Sequence, residues 1–233
     1  MCVEQGEQQD GMTKLAFYDM DRTITRSGTY TPFLMHMVRA RASWRIVLAI
    51  FIPFAFIAYA TRLLSRSGLK TFNQRLLLGA RPSLAALKPY IESYADAVMA
   101  DNVYASALDR VASDKAEGYT LILATASYHL YVDAIAARLG FDHVIATRLK
   151  VNDEGQVRAH IIGDNCYDKA KLTRIEAWMS EHVAEDEQTD IRAYSDHISD
   201  MPMLEFADEA YATNPHPPLR AEAARKGWKI FDW

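Results

Sequence analysis

Short apolar runs alternate with longer amphipathic segments over much of the chain. Four to eight apolar residues bounded by turn residues are typical of a strand, whereas apolar positions every three or four residues are typical of a helix. Strands are predicted at 15–18, 119–124, 144–146, 191–194, 210–213 and 228–231, with a hairpin at 149–151 and 157–161. Helices are predicted at 103–117, after residue 127 as far as about 139, at 169–182, and between the last two strands. This alternation predicts an α/β fold, a Rossmann-like doubly wound parallel sheet covered on both faces.

One long segment interrupts this alternation. Residues 31–105 have a helical pattern, and Gly68, the 79–82 turn and the Lys88-Pro89 pair are expected to divide them into several helices. Because the segment follows the first strand, we expect an inserted all-helical cap at 31–105 and a core domain made of 12–30 and 106–233. The polar residues 1–11 are expected to be a disordered leader, and their acidic character predicts no secretory signal.

Composition and charge narrow the classes of function. The chain has 233 residues, half of them apolar, which fits one domain or a core with an insert. Its two cysteines, Cys2 and Cys166, are far apart, which argues against a disulfide scaffold and for a reducing, cytoplasmic compartment.

The net charge is −4, yet residues 22–91 carry eleven Lys or Arg and no Asp or Glu. Such a basic block predicts an anionic partner, a phosphate group or a membrane surface. Nucleic acid is not expected, because the block is apolar where a nucleic-acid groove would combine Lys and Arg with exposed aromatics.

Inside the basic block, residues 46–61 form a run of sixteen residues without a charge, bracketed by Arg45 and Arg62. A membrane-spanning helix needs about 20 apolar residues, and this run is shorter and contains Pro53. Three interpretations stay open: a buried helix of the cap, which is the favoured one, a helix lying in a membrane interface with the arginines on lipid phosphates, and a spanning helix.

The candidate chemistry begins where the first predicted strand ends. Asp19 and Asp21 follow that strand, and side chains two residues apart on a strand point the same way. Two acids held together repel each other and lose solvation, which a cation or a shared reaction would justify. Asp-x-Asp pairs are also common in turns, so the pair alone is ambiguous.

Further polar residues follow other predicted strands. Thr125 and Ser127 follow the second strand, Asp196 and Asp200 follow the strand at 191–194, and Lys171 lies near the start of a helix. Each has an ordinary explanation as a helix cap, a turn residue or a solvated lysine. In a doubly wound sheet, however, these strand ends converge on one crevice. A carboxylate nucleophile, a hydroxyl, an ammonium and oxygen ligands for Mg²⁺ are the groups that phosphoryl transfer needs.

The order of these residues resembles the haloacid dehalogenase superfamily of phosphotransferases. Its first motif matches Asp19, Asp21 and Thr23, its second Thr125, its third Lys171 and its fourth Asp196 and Asp200. The helical insert after the first motif is similar to the cap of the phosphoserine-phosphatase-like branch, subfamily IB. Arg22 stands where the family usually has Gly, and Lys169 competes with Lys171, which the spacing favours.

The resemblance implies a Mg²⁺-dependent phosphomonoester hydrolase. Asp19 would attack phosphorus and form an aspartyl-phosphate, and Asp21 would act as acid and base. Thr125 and Lys171 would hold the phosphate, with Ser127 and Arg22 as further candidates. The metal ligands would come from Asp19, the Asp21 carbonyl and Asp196, with Asp200 orienting them.

The substrate is expected to be a lipid or amphiphilic phosphate, with a small soluble one such as phosphoserine as the alternative. A membrane-surface or protein-binding module on the same scaffold is a third possibility.

Overall fold

A computed structural model describes residues 12–233, so the leader predicted at 1–11 lies outside the described residues. The strands are β1 (Thr13–Tyr18), β2 (Thr120–Tyr128), β3 (His143–Thr147), β4 (Leu149–Val151), β5 (Val157–Ile161), β6 (Thr189–Ser195), β7 (Glu209–Thr213) and β8 (Lys229–Phe231). The helices are α1 (Tyr30–Arg41), α2 (Ile52–Ala60), α3 (Arg66–Leu77), α4 (Leu84–Asp101), α5 (Ala105–Ala116), α6 (His129–Leu139), α7 (Lys169–His182), α8 (Met201–Phe206) and α9 (Pro217–Lys226). Single 3-10 segments run over Ser43–Phe51 and Ile198–Asp200.

The central sheet has six strands in the order β3-β2-β1-β6-β7-β8, and every neighbouring pair is parallel. The chain leaves β1 toward β2 on one side and later returns to β6 on the other. The strand order therefore reverses at β1, and a crevice opens at the carboxyl ends of such strands. The predicted α/β fold is confirmed.

Alternating side chains of each strand fill two separate cores. On β1, Leu15 and Phe17 belong to one core, which α7, α8 and α9 cover, while Ala16 and Tyr18 belong to the other. That second core also contains buried residues of α4, α5 and α6. Strands buried on both faces are expected to be almost continuously apolar, which is why β1 and β2 could be predicted from short apolar runs.

The helical insert (30–101) lies between β1 and α5. The predicted break at 79–82 is confirmed, but the breaks predicted at Gly68 and Lys88-Pro89 are wrong. Gly68 lies in the first turn of α3, where its N–H donates to the Ser65 side chain at 3.0 Å, a normal N-cap. Pro89 lies inside α4, whose buried face of apolar side chains offsets the lost hydrogen bond. The other breaks lie at Ala42, between α1 and the 3-10 segment, and at 61–65, where Arg62 has φ +62°.

The favoured prediction for the run 46–61, a buried cap helix, is wrong. The run is divided between the 3-10 segment and α2, and Ala55 is the single buried residue in these two elements. The stretch Ser43–Ala60 has a mean hydropathy of 1.8 and is 6% buried; by length and composition alone it could cross a membrane. We call its exposed side chains the apolar strip: Trp44, Ile46, Val47, Ile50, Phe51, Phe54, Phe56, Ile57 and Tyr59, with Leu63 beyond.

Candidate active site

A cleft of about 350 Å³ opens at the carboxyl ends of β1, β2 and β6. Hydrogen bonding fixes the first residue after β1, because the Asp19 N–H donates to the Tyr194 carbonyl at 2.9 Å and extends the β1–β6 ladder. Among the residues that line the cleft are Asp19, Asp21, Arg22, Thr125, Lys171, Asp196 and Asp200. Seven of the eight residues predicted for the site thus meet in one place. A larger groove of about 1080 Å³ between α4, α6 and the β4–β5 hairpin contains none of them.

A buried ammonium joins two of the predicted acids. Lys171 Nζ lies 2.8 Å from Asp19 Oδ1 and 2.7 Å from Asp200 Oδ2, and the lysine is 2% exposed. Asp200 Oδ2 also accepts a hydrogen bond from the Ser195 hydroxyl at 2.6 Å. Lys169, two residues earlier on α7, is exposed. The geometry therefore places Lys171, and not Lys169, beside the first acid.

The carboxylates of the cleft outnumber the cation that they share. Burial raises the pKa of Asp19 to about 8, and the charges of Asp200 and Asp196 add to that rise while Lys171 opposes it. Burial also raises the pKa of Asp196 to about 7, again with the charge of Asp200. Burial alone would lower the pKa of Lys171, but the charges of Asp19 and Asp200 raise it above its usual range. The ammonium is therefore held in its charged form. The four carboxylates of the cleft still outnumber its three basic side chains, Lys171, Arg22 and Arg66, which favours a bound cation.

The second acid of the motif is held by three hydrogen bonds. Asp21 Oδ1 accepts from the backbone N–H and from the hydroxyl of Thr29, both at 2.7 Å. Asp21 Oδ2 accepts from the Ser127 hydroxyl at 2.8 Å. Ser127 was predicted to bind phosphate, but it does not line the cleft, and its hydroxyl is used on Asp21. β2 continues through Tyr128, and this extension places Ser127 next to Asp21.

Arg22 adopts a left-handed backbone conformation with φ +67°, which costs about 1–2 kcal/mol for a residue other than glycine. The surrounding loop is fixed by hydrogen bonds. The Arg22 N–H donates to the Thr25 hydroxyl at 3.3 Å, and the Trp233 indole donates to the Thr23 carbonyl at 3.0 Å. An arginine can therefore occupy the position where the family usually has glycine, and its side chain lines the cleft.

Several residues of the site were not predicted. Thr29 and Ser195 position acids through hydrogen bonds, and no sequence signal distinguishes them from other hydroxyl residues. Arg66 of the insert lines the cleft, and its guanidinium lies over the Tyr167 ring at 3.8 Å from the centroid. The basic block at 22–91, which contains Arg66, predicted an anionic partner. It did not identify which of its basic residues would face the cleft.

The residues present fit the Mg²⁺ site that the resemblance implied. No group of three or more His, Cys, Asp or Glu residues within 12–233 has the arrangement of a metal site. The implied site draws on only two carboxylates, Asp19 and Asp196, and on the main-chain carbonyl of Asp21. All are hard oxygen donors of the kind that Mg²⁺ prefers, and their excess negative charge matches it. Asp200 Oδ1 is buried without a partner among the described residues.

Comparisons with known proteins agree with this geometry. The family model of haloacid dehalogenase-like hydrolases matches residues 16–205. A probable phosphatase of Mycobacterium tuberculosis is 27% identical over 226 residues, which cover 94% of this chain and 75% of that protein. The structure of a Bordetella pertussis protein of unknown function has a TM-score of 0.84 at 25% identity, covering 95% of this chain and 99% of the other. A substrate-bound phosphoserine phosphatase shares the fold, with a TM-score of 0.60 at 17% identity and coverage of 95% and 93%.

The chain belongs to the haloacid dehalogenase-like hydrolase family. Within it, the chain is a phosphatase of the phosphoserine-phosphatase-like branch, as its motifs predicted. Phosphatases of this family generally use Mg²⁺ and an aspartyl-phosphate.

Proposed function

We propose that this phosphatase hydrolyses a phosphomonoester through an aspartyl-phosphate formed on Asp19, with Mg²⁺ as its cofactor. The observation that carries the proposal is the buried Lys171 ammonium, which lies 2.8 Å from Asp19 in a cleft that also contains Asp21, Thr125 and Asp196. A nucleophile, an acid, a phosphate-binding hydroxyl and a metal ligand thus face the same space.

In the first step, a carboxylate oxygen of Asp19 forms a bond to phosphorus while the bond from phosphorus to the ester oxygen of the substrate breaks. Asp21 gives its proton to that oxygen, and the alcohol leaves. The Thr29 and Ser127 hydroxyls hold the Asp21 carboxyl. Because a hydroxyl both donates and accepts, the same contacts suit the protonated and the ionised form.

In the second step, water attacks phosphorus, Asp21 takes one of its protons, and the bond from phosphorus to Asp19 breaks. Phosphate is then released, Asp19 is again a carboxylate and Asp21 is again protonated. Lys171 offsets negative charge on Asp19 and on the transferred group in both steps, since it is buried and charged. The Thr125 hydroxyl accepts from the Ser127 N–H at 3.2 Å, so its proton can be donated to a phosphate oxygen.

The bound Mg²⁺ would supply positive charge that stabilises the phosphoryl oxygens. Asp19, the Asp21 carbonyl and Asp196 would hold it. Asp200 was predicted among the metal residues, and we assign it the role of orienting Lys171, to which it is paired at 2.7 Å. Arg22 lines the cleft and would contact the substrate phosphate or the group next to it.

We further propose that the substrate is a lipid or amphiphilic phosphomonoester and that the protein acts in the cytoplasm, peripherally at the inner face of the membrane. Residues 31–105, which contain most of the helical insert, would serve as the cap over a core of 12–30 and 106–233. The support is the apolar strip, a set of large exposed side chains beside a block without acidic residues. Nucleic acid is not expected as a partner, because the run 46–61 has no Lys or Arg among its exposed aromatic side chains.

A small soluble phosphomonoester such as phosphoserine is the second candidate, because the cleft holds only about 350 Å³ and the shared fold includes a phosphoserine phosphatase. A binding module of another class, on the same scaffold, would be expected to lack the nucleophile or a metal ligand, and both are in place here.

The test is a phosphate-release screen of the full chain with Mg²⁺ and with a chelator, on phosphoserine, p-nitrophenyl phosphate and lysophosphatidate. Asp19→Asn should abolish release by several orders of magnitude. The matched control is Asp109→Asn, an exposed acid of α5. Activity that survives Asp19→Asn would defeat the mechanism. Equal turnover of soluble and lipid phosphates, without co-sedimentation on anionic vesicles, would defeat the amphiphilic substrate and the membrane contact.

A further inference from the structure

A second polar pocket lies in the insert, away from the cleft. Its volume is about 330 Å³, and it is enclosed by the end of α1, the start of the 3-10 segment and the loop between α3 and α4. We call it the arginine pocket, after Arg41, Arg45 and Arg81 in its wall; Trp44 and the residues 78–80 also line it. It shares no lining residue with the catalytic cleft.

The main chain fixes two of the three arginines. Arg41 Nη1 donates to the Leu78 carbonyl at 3.2 Å, and Arg45 Nη1 donates to the Leu76 carbonyl at 2.7 Å. Gly79 beside Arg45 has φ +103°, a backbone conformation that favours glycine, and this conformation shapes the loop that lines the pocket. A guanidinium has five N–H donors, and each of these contacts uses only one. The remaining donors are therefore held in position to bind an anion.

The charge of the pocket is not neutralised within the described part of the chain. Ion pairs within 12–233 include none of the three arginines. The sequence explains this, because residues 22–91 contain no Asp or Glu. A cluster of guanidinium groups without carboxylates matches the oxygen atoms of a phosphate group.

The surroundings distinguish a lipid phosphate from a free one. Trp44 lines the pocket, carries the Arg45 guanidinium 4.9 Å from its ring centroid, and is 63% exposed. It is also the first residue of the apolar strip, in which Val47 is 66% and Ile50 is 68% exposed. Tryptophan next to a cationic pocket and a continuous apolar surface is typical of the boundary between lipid head groups and acyl chains. A free phosphate would make no use of that surface.

We propose that the arginine pocket binds the phosphate of an anionic membrane lipid, so that the apolar strip inserts beside it. The proposal rests on the membrane contact proposed above and names its head-group site; it is independent of the chemistry in the catalytic cleft. The lipid bound here is a docking ligand and not the substrate.

The test is sedimentation of the full chain with phosphatidylcholine vesicles that contain or lack phosphatidylglycerol. Arg81→Gln is the informative variant, because Arg81 is exposed and its side chain makes no hydrogen bond to residues 12–233. A basic residue near an anionic surface contributes about 1 kcal/mol, so the variant should bind about five-fold more weakly. Arg225→Gln removes the same charge from α9, a helix packed on the central sheet and not part of the insert, and should bind as the parent does.

Two further measurements separate the alternatives. The protein should stay on the vesicles when inorganic phosphate is added at the concentration of the lipid phosphate. Hydrolysis of p-nitrophenyl phosphate by Arg81→Gln should equal that of the parent, so that loss of docking is not loss of catalysis. Unchanged vesicle binding by Arg81→Gln, an equal effect of Arg225→Gln, or release by inorganic phosphate would each overturn the proposal. Failure of the phosphatase screen would leave it intact.

Discussion

The side-chain ammonium of Lys70 lies 2.8 Å from the carbonyl oxygen of Ala126. Lys70 belongs to α3 of the insert, whereas Ala126 belongs to β2 of the core, between Thr125 and Ser127. The same ammonium donates to Asn165 Oδ1 at 3.0 Å. Lys70 of the insert therefore holds the end of β2 in place, next to Thr125, the predicted phosphate-binding residue.

We predict that Lys70→Met lowers kcat/KM about ten-fold or more, because a hydrogen bond to a charged group contributes about 1.5–3 kcal/mol. The measurement is steady-state hydrolysis of p-nitrophenyl phosphate. Lys88→Met, which removes an exposed lysine of α4, is the control. A small alkylamine should partly restore Lys70→Ala by refilling the ammonium position, and no rescue together with parental kcat/KM in Lys70→Met would contradict the prediction.

A second prediction concerns Ser127, whose hydroxyl holds Asp21 at 2.8 Å. Ser127→Ala should slow hydrolysis of an alkyl phosphate more than that of p-nitrophenyl phosphate, because a good leaving group needs less help from an acid. The expected loss is about ten-fold on the alkyl ester, for one hydrogen bond to a charged group. The check is the ratio of kcat/KM values on the two substrates. Ser113→Ala removes a hydroxyl that binds Glu117 on the surface of α5 and should leave that ratio unchanged.

Equal losses on both substrates would instead indicate that Ser127 contacts the phosphate, as the sequence alone suggested. That outcome would restore the first assignment of this residue.

The core elements could be predicted because turn-forming or polar residues stand at their ends. The hairpin β4–β5 has the predicted bounds, since its connecting turn contains Gly155 with φ +67°, a conformation that favours glycine. The helix α7 also has the predicted bounds. The acids of the site follow strands, and parallel strands bring their ends together, so topology alone gathers Asp19, Asp196 and Thr125.

The insert could not be predicted equally well. Gly68 is a helix breaker by propensity, but a side-chain cap three residues earlier makes the first turn of α3 tolerant of it. The run 46–61 contains no charged residue, so its pattern cannot indicate whether protein or a membrane covers it. Thr29 joins its loop to the strand end through a backbone N–H and a hydroxyl, both donated to Asp21, and nothing in the sequence marks this residue for that role.

The Lys169 and Lys171 pair provides a third prediction. Lys171→Met should abolish activity and destabilise the fold by about 3–5 kcal/mol, because it leaves Asp19 and Asp200 buried without their cation. Lys169→Met should change neither, since that side chain is exposed. Urea unfolding and phosphate release measure the two effects. A stable but inactive Lys171→Met would show that the lysine serves the phosphate more than the fold.

The final prediction concerns pH and the metal. Burial raises the pKa of Asp196 from 3.8 to about 7, so between these values the folded chain holds a proton that the unfolded chain has released. The free energy of unfolding of the Mg²⁺-free protein should therefore fall as the pH rises from about 4 to 7, and on toward 8 because of Asp19. Mg²⁺ binds the ionised carboxylates, so the increase in Tm that it causes should grow over the same interval.

Asp196→Asn isolates this effect. The variant should lose activity, yet in chelator at pH 8 it should melt above the parent, by about 2–4 °C for each kcal/mol of repulsion relieved. Its Tm should also depend less on pH, and Mg²⁺ should raise it less. Asp109→Asn, on the exposed face of α5, should retain the pH dependence of the parent. If Asp196→Asn melts with the full pH dependence of the parent, that dependence does not originate from Asp196. If Mg²⁺ raises the Tm of the variant as much as that of the parent, other oxygens hold the metal.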